Sequence, residues 1–330
     1  MQQGLAETMV APRLTSAARR RQLREKAIAG VITAIAFTGI AALVLIIVFI
    51  AKEALALFLD AQAREEASLS KMFLAQPTRP GRPPAFIWQP VSSVPKVSMI
   101  PLFIGTLKTT LVSMVVAVPV GVAAALFAAE FAPRRIREFI KPVIELLAGI
   151  PSVVLGFFAL MVLATILQDA FGFTYRLNAV VAGLGLALAI VPVIFTVSED
   201  ALTAVPRSYR EASLALGATP WETAWKVVLP AAAPGILAAC VLGFGRAIGE
   251  TMIVLMASGN AAIVSASLGD SVRSLSATIA AEMGEVVVGS PHYSLLFFIG
   301  VELFVFTFVL NMLAASWTKR VLKKLTGGAA

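Results

Sequence analysis

The chain has 330 residues, of which 58% are hydrophobic and only 14% are charged. This composition excludes an ordinary soluble domain and is typical of a polytopic membrane protein. The net charge of +8 is therefore interpreted as a signal of membrane orientation rather than of nucleic-acid binding. Cys240 is the single cysteine, which excludes an internal disulfide and a cysteine-based metal site.

The N-terminal third of the chain predicts a tail, a span and a loop. Residues 1–26 are polar and basic, which predicts a cytoplasmic tail. Lys26 and Lys52 bracket residues 27–51, which are uncharged and long enough to cross a hydrocarbon core of about 30 Å. Residues 52–101 are rich in proline, which favours an extended extracytoplasmic loop over a packed domain.

Five further apolar windows complete an all-α protein with six transmembrane helices. They form a core over residues 102–318, followed by a cytoplasmic tail at 319–330, and the windows are 102–129, 142–167, 177–198, 231–257 and 293–317. Proline and glycine occur inside several of them, for example Pro151 and Gly249. We therefore expect broken or closely packed helices within the spans.

Lysine and arginine are distributed unequally between alternate connections. One set, which includes both termini and residues 205–230, carries 17 of these side chains, and the other set carries 8. The positive-inside rule places the richer set in the cytoplasm. Both termini are then predicted to be cytoplasmic.

Residues 205–230 predict two short helices joined by a turn. The first begins near Pro206 or Ser208 and ends at Gly217, which favours the left-handed conformation that closes a helix. The second begins with Thr219 as N-cap and Glu222 three residues later, a capping box, and is expected to end at Pro230. The hairpin carries five large apolar side chains that predict a partner with a matching groove: Tyr209, Leu214, Leu216, Trp221 and Trp225.

Charged residues inside the spans are the candidates for a substrate path, because each is costly in lipid unless it faces a partner or water. Arg246 and Glu250 are four residues apart in the fifth span, so they are expected to share a helix face, where they could pair across one turn. A guanidinium offers a permanent positive charge and a planar set of donors suited to oxyanions. The alternative interpretation is a structural ion pair between helices.

Three other charged residues lie in the predicted spans. Lys108 either adds positive potential at the outer entrance or extends to the lipid headgroups. Glu302 in the sixth span is expected to pair with Arg246 or to line the path. Glu145 is expected to form an ordinary helical pair with Lys141.

The hairpin also resembles the EAA loop of ABC-importer permeases. The matching residues have the spacing of that motif and are Glu211, Ala212, Gly217, Val227, Leu229 and Pro230. Ser213 departs from the usual alanine at the third motif position. The resemblance implies that Glu211, Ala212, Gly217, Leu229 and Pro230 dock a cytosolic ATPase.

Further segments are similar to the C-type permease of the phosphate-specific ABC importer, over residues 86–312. They include LLAGIPSVVLG, GRAIGETMIVLMASGN and ATIAAEMGE. This resemblance implies a type I ABC-importer permease fold in the bacterial inner membrane. It also implies an A-type permease, a dimer of ATP-binding subunits and an extracytoplasmic phosphate-binding protein as partners. The chain itself would be a pore-forming subunit rather than an enzyme, with no cofactor or metal.

Two alternatives remain at this stage. Arg246 alone does not distinguish phosphate from sulfate or molybdate, so a permease for another oxyanion is one alternative. A membrane subunit that senses phosphate without transporting it is the other. An intramembrane enzyme is disfavoured, because no nucleophile and base set or metal-ligand cluster is found in the sequence.

Overall fold

The computed structural model describes residues 16–77 and 83–325. It has fourteen α-helices and one two-stranded antiparallel sheet among these residues. The expected tail and loop residues 1–15, 78–82 and 326–330 lie outside the described part. The elements are α1 (Ser16–Leu59), α2 (Ala61–Glu66), α3 (Leu69–Phe73), β1 (Trp88–Gln89), β2 (Lys96–Val97), α4 (Ile100–Leu126), α5 (Arg134–Ala148), α6 (Ser152–Phe158), α7 (Ala164–Phe171), α8 (Ala179–Thr203), α9 (Arg207–Ala215), α10 (Pro220–Thr223), α11 (Leu229–Gly249), α12 (Met252–Ala257), α13 (Leu275–Glu282) and α14 (Pro291–Leu325).

Six helical segments of the described part are long and apolar enough to cross a membrane, which confirms the predicted number. They are Arg20–Leu59, Ile100–Phe131, Ser152–Phe171, Ala179–Thr203, Pro220–Gly249 and Pro291–Ser316. Three of them contain a wider π-helical turn, at Phe127–Phe131, Ala159–Leu163 and Ala224–Val228. Such turns are tolerated inside helices and bend them locally.

The chain divides into two units, residues 1–52 and 53–330. In the first unit α1 exposes apolar side chains around its whole circumference, as with Phe37 and Leu45. Such a helix suits lipid or another chain. In the second unit α8 is central and packs against α4, α11 and α12, and its Ile190 and Ile194 are fully buried.

In the second unit, the starts of α4 and α14 pack at the end that carries β1 and β2, whereas the end of α8 and the start of α11 pack at the opposite end, beside α9. We call the end that carries β1 and β2 the sheet end, and the end that carries α9 the α9 end. A buried cluster at the sheet end joins Leu57, Met72 and Trp88 to Leu102 and Leu295. Residues 53–77 and 83–99 are therefore folded against the bundle, and the expectation of an extended loop is wrong for them.

Two predicted spans differ from the observed helices. The third span begins at Ser152 rather than residue 142, because Pro151 lacks an N–H and disfavours a helical conformation at Ile150. The preceding residues form α5, a separate amphipathic helix. The fifth span is interrupted at Glu250 and Thr251, between α11 and α12.

Candidate functional site

The hairpin at the α9 end has the predicted local structure. Helix α9 ends one residue before Leu216, and Gly217 follows with a φ of +85°. Glu222 N donates to Thr219 Oγ1 over 3.2 Å, and Thr219 N donates to Glu222 Oε2 over 3.1 Å. The predicted capping box at the start of α10 is confirmed.

Pro230 does not end the second helix, contrary to the prediction. It occupies the first turn of α11, directly after the π turn Ala224–Val228. The wider turn accommodates a residue without an N–H, so the helix continues from α10 into α11. Leu229 is half-buried and packs into a cluster with Leu202 and Val228. The hairpin is thus built directly onto the fifth span.

The hairpin exposes a large apolar surface. Leu216 is 90% exposed and Trp221 is 60% exposed. Glu211 and Ala212 are also exposed. Trp221 and Trp225 stack with a centroid distance of 6.1 Å, and Phe131 extends the aromatic surface at 5.7 Å from Trp221. A contiguous apolar surface of this kind marks an interaction site.

Polar contacts fix the hairpin internally and to the bundle. Ser213, which departs from the EAA pattern, lies within hydrogen-bond distance of Thr223, with 2.9 Å between the hydroxyl oxygens. Arg210 binds Glu130 at the end of α4 and the carbonyl of Leu202. Helix α9 is therefore held both to α10 and to two spans of the bundle.

A second ionic contact lies at the α9 end. Glu199 of α8 is almost fully buried and pairs with Arg137 and, over 3.3 Å, with Lys141 of α5. Lys141 therefore pairs with Glu199 and not, among the described residues, with Glu145 as predicted. The contact attaches α5 to the central helix.

Arg246 lies in the last turn of α11, and its side chain is exposed. It lines a groove of about 530 Å³ between α11 and α14. The α14 residues of this groove are Gly300, Leu303, Phe304, Thr307 and Asn311. Within the described residues the guanidinium has no carboxylate partner and no hydrogen bond.

Glu250 and Arg246 do not share the predicted helix face, and they form no pair in the described structure. Glu250 leaves the helix with ψ 129°, so the two side chains no longer share a helical face. Its carboxylate instead accepts the N–H of Met252 over 3.2 Å, at the start of α12. Its carbonyl accepts a hydrogen bond of 2.8 Å from the Ser276 hydroxyl. Arg246 is consequently left beside a helix break with no ionic partner among the described residues.

Lys108 and Glu302 lie apart from this groove. Lys108 Nζ donates to the carbonyl of Ser267 over 2.8 Å at the sheet end. Glu302 lies one helical turn from both Phe298 and Phe306, whose rings contact Phe58 and Phe103. Its Oε2 is buried without a hydrogen-bond partner in the described structure. The structure therefore brings neither residue together with Arg246.

A polar cluster at the sheet end surrounds Glu282. Its carboxylate binds Arg273 Nη2 at 2.8 Å, His292 Nε2 at 2.8 Å and Trp88 Nε1 at 3.0 Å. Burial alone would raise the pKa of Glu282, but the hydrogen bonds from His292 and Trp88 and the charge of Arg273 hold that pKa below its ordinary value of 4.5. We call these four residues the outer clamp. No sequence pattern pairs Trp88 with Glu282, because 194 positions separate them.

Comparisons with known proteins agree with this architecture. Residues 117–326 match the family described as "Binding-protein-dependent transport system inner membrane component". The probable ABC transporter permease protein YqgH of Bacillus subtilis is 36% identical over 92% of this chain and 94% of its own length. The phosphate transport system permease protein PstC of Mesorhizobium japonicum is 34% identical over 71% of this chain and 76% of its own length.

A solved structure of the MetNI methionine ABC transporter in an inward-facing conformation has a related fold. It matches with a TM-score of 0.52 and 20% identity, covering 68% of this chain and 97% of that one. Six apolar helices in this arrangement define a multi-pass membrane protein with the type I ABC-importer permease fold. The chain belongs to the family of binding-protein-dependent transport system inner membrane components.

Proposed function

We propose that this chain is a permease subunit of an ATP-driven importer that moves inorganic phosphate into the cell. The observation that carries the proposal is Arg246, a cation in the groove between α11 and α14 that has no ionic partner among the described residues. An uncompensated guanidinium in a membrane span is costly, so it is retained where it meets an anion or water. Relatives named as phosphate transport system permeases support phosphate as that anion.

Coupling to ATP hydrolysis is proposed to occur at the exposed hairpin. Glu211, Ala212 and Gly217 lie on or beside the apolar surface, and Leu229 and Pro230 join it to α11. A dimer of ATP-binding subunits would bind this surface from the cytoplasm, the side given by the lysine and arginine distribution. An A-type permease and an extracytoplasmic phosphate-binding protein complete the proposed complex in the bacterial inner membrane.

The four predicted path residues have different places in this proposal. Arg246 would contact the anion directly. Glu250 would act through the helix break that follows Arg246 rather than through an ion pair. Lys108 would add positive potential at the sheet end, which is proposed to be extracytoplasmic. Glu302 faces a different side of α14 from the groove, so it would not contact the anion there.

Uptake by the reconstituted complex tests the proposal. The four proteins would be placed in vesicles with ATP inside, and labelled phosphate uptake would be measured against competing sulfate and molybdate. We expect phosphate uptake that neither competitor reduces, and Arg246→Gln should abolish it while the complex still assembles. Arg134→Gln is the matched control, because Arg134 is 91% exposed and forms a surface pair.

Each alternative predicts a different result in the same assay. Accumulation of sulfate or molybdate instead of phosphate would identify a permease for another oxyanion. Assembly with the ATPase and phosphate-dependent ATP hydrolysis without accumulation of phosphate would identify a sensor. Uptake by Arg246→Gln equal to that of Arg134→Gln would give Arg246 a structural role.

A further inference from the structure

Helix α13 is inserted into the bundle from the sheet end. It packs against α4, α12 and α14, and Leu275 and Ala277 are fully buried. Leu275 N donates to the Thr106 hydroxyl of α4 over 3.0 Å. At Gly105 a Cβ would lie 2.1 Å from the carbonyl oxygen of Arg273, so only glycine permits this approach. The start of α13 is thus seated directly on the backbone of α4.

The first turn of α13 also contacts the break in the fifth span. The Ser276 hydroxyl donates to the carbonyl of Glu250 over 2.8 Å. That carbonyl follows the end of α11 and has lost its helical partner. An unpaired carbonyl inside a membrane protein is costly, so the Ser276 hydroxyl stabilises the broken form of the helix.

The last residue of α13 belongs to the outer clamp. Glu282 joins β1 through Trp88, the segment before α13 through Arg273, and α14 through His292. Three parts of the sheet end therefore meet on one carboxylate. Ser276 and Glu282 are separated by about 9 Å along the helix axis, at 1.5 Å per residue.

We propose that α13 is a strut through which the outer clamp positions the helix break and, with it, Arg246. Ser276 and Glu282 are then positioning residues that act through the helix and do not touch the transported ion. Arg246 lies one turn before Glu250, so a displacement of the Glu250 carbonyl moves the end of α11 and the guanidinium. The role in transport depends on the function proposed above, whereas the mechanical link does not.

Hydrogen exchange in the assembled complex tests the mechanical link. Amide exchange would be followed in peptides covering residues 247–257 for wild type, Ser276→Ala, Ser276→Thr and Glu282→Gln. Loss of one hydrogen bond that holds the break should accelerate exchange about fivefold to tenfold in Ser276→Ala. Ser276→Thr keeps the hydroxyl and should restore the wild-type rate. Glu282→Gln should accelerate exchange at the same peptides although it lies at the far end of α13.

The matched control is Ser113→Ala. Ser113 is fully buried, and its hydroxyl bonds within its own helix to the carbonyl of Thr110 over 2.7 Å. It should leave exchange at residues 247–257 unchanged. Equal acceleration in Ser113→Ala, or no acceleration in Glu282→Gln, would overturn the strut.

Transport kinetics give the second readout. For Ser276→Ala and Glu282→Gln we expect the KM for phosphate uptake to rise about fivefold or more, with a smaller change in kcat, because the anion-binding group is misplaced. Ser276→Thr should retain the wild-type KM. A fall in kcat alone, with KM unchanged, would contradict the positioning role. If wild type transports no phosphate, the proposed function fails, and the exchange rates still decide the strut.

Discussion

Arg210 of α9 and Glu130 at the end of α4 form an ion pair with 2.6 Å between Nη2 and Oε1. Arg210 Nε also lies 3.1 Å from both carboxylate oxygens, and the same guanidinium donates to the carbonyls of Leu202 and Val205. The side chains are only 22% and 10% exposed. One arginine therefore joins the exposed hairpin to α4 and to the end of α8.

Removing Arg210 should destabilise the protein strongly. Arg210→Ala leaves Glu130 as a buried carboxylate without its partner, a change that costs about 3–5 kcal/mol. Arg210→Lys should cost less, because it keeps the charge but loses the planar set of donors. Thermal unfolding of the purified protein measures both.

Lys226→Ala is the control for this prediction. Lys226 and Glu222 form a surface pair, with the two side chains 69% and 41% exposed, and exposed pairs of this kind contribute little to stability. An unfolding temperature for Arg210→Ala equal to that of Lys226→Ala would contradict the importance of the buried pair.

Gly217 should be sensitive to backbone conformation and not to side-chain volume. Its φ is +85°, and nothing lies within 4 Å of a Cβ placed there. An ordinary L-residue in this conformation costs about 1–2 kcal/mol. Asparagine tolerates the left-handed region better than alanine. We therefore expect the amount of co-purified ATPase to fall in the order wild type, Gly217→Asn, Gly217→Ala.

A reversed order at Gly217 would show a different cause. If Gly217→Asn lost more ATPase than Gly217→Ala, side-chain size at the interface would decide binding. Gly284→Ala serves as the control, because Gly284 also has open space around a Cβ but has no positive φ. It lies at the sheet end, away from the surface that contains Gly217, and should retain the full amount of ATPase.

Local and distant interactions explain which features the sequence predicts. The hairpin is predictable because its signals are contained within a few residues: Gly217 ends α9, and Thr219 and Glu222 cap α10. The break at Glu250 is not predictable in this way, because it is stabilised by Ser276, 26 positions later. A helix-period argument assumes a continuous helix, and it therefore placed Arg246 and Glu250 on one helix face incorrectly.

The same reasoning applies to the spans and the charged path. Hydropathy finds six spans because each consists of about twenty consecutive, predominantly apolar residues. It does not separate α5 from α6, since the break at Pro151 lies within a continuous apolar stretch. The face of α14 that carries Glu302 depends on how α14 packs against α4, which no local pattern records.

The outer clamp should make stability depend on pH in the acidic range. The pKa of Glu282 is below its ordinary value of 4.5 in the folded protein, so its ionised form is stabilised by folding. The contribution is fully present above pH 4.5 and is lost as the pH falls through the lowered pKa. The groups facing the carboxylate are Arg273, His292 and Trp88, and Glu285 lines the adjacent cavity.

The difference in unfolding temperature between wild type and Glu282→Gln measures this contribution. We expect the difference to shrink as the pH falls below about 4.5, where the carboxylate becomes protonated. Glu138→Gln is the control, because Glu138 is in an exposed pair with Arg134. A difference for Glu282→Gln that grows as the pH falls below about 4.5 would contradict the sign of the shift.

Glu302 and Arg246 should respond differently to neutralisation, although both are charged residues of membrane spans. Glu302 Oε2 is buried without a hydrogen-bond partner in the described structure, and a neutral amide costs less to bury than a carboxylate. Glu302→Gln should therefore unfold at the same or a higher temperature than wild type. Because Glu302 faces away from the groove that contains Arg246, we expect phosphate uptake to stay within about twofold of wild type. Arg246→Gln should instead lose uptake without losing assembly. Equal loss of uptake in both variants would place Glu302 on the path and would require the path to cross α14.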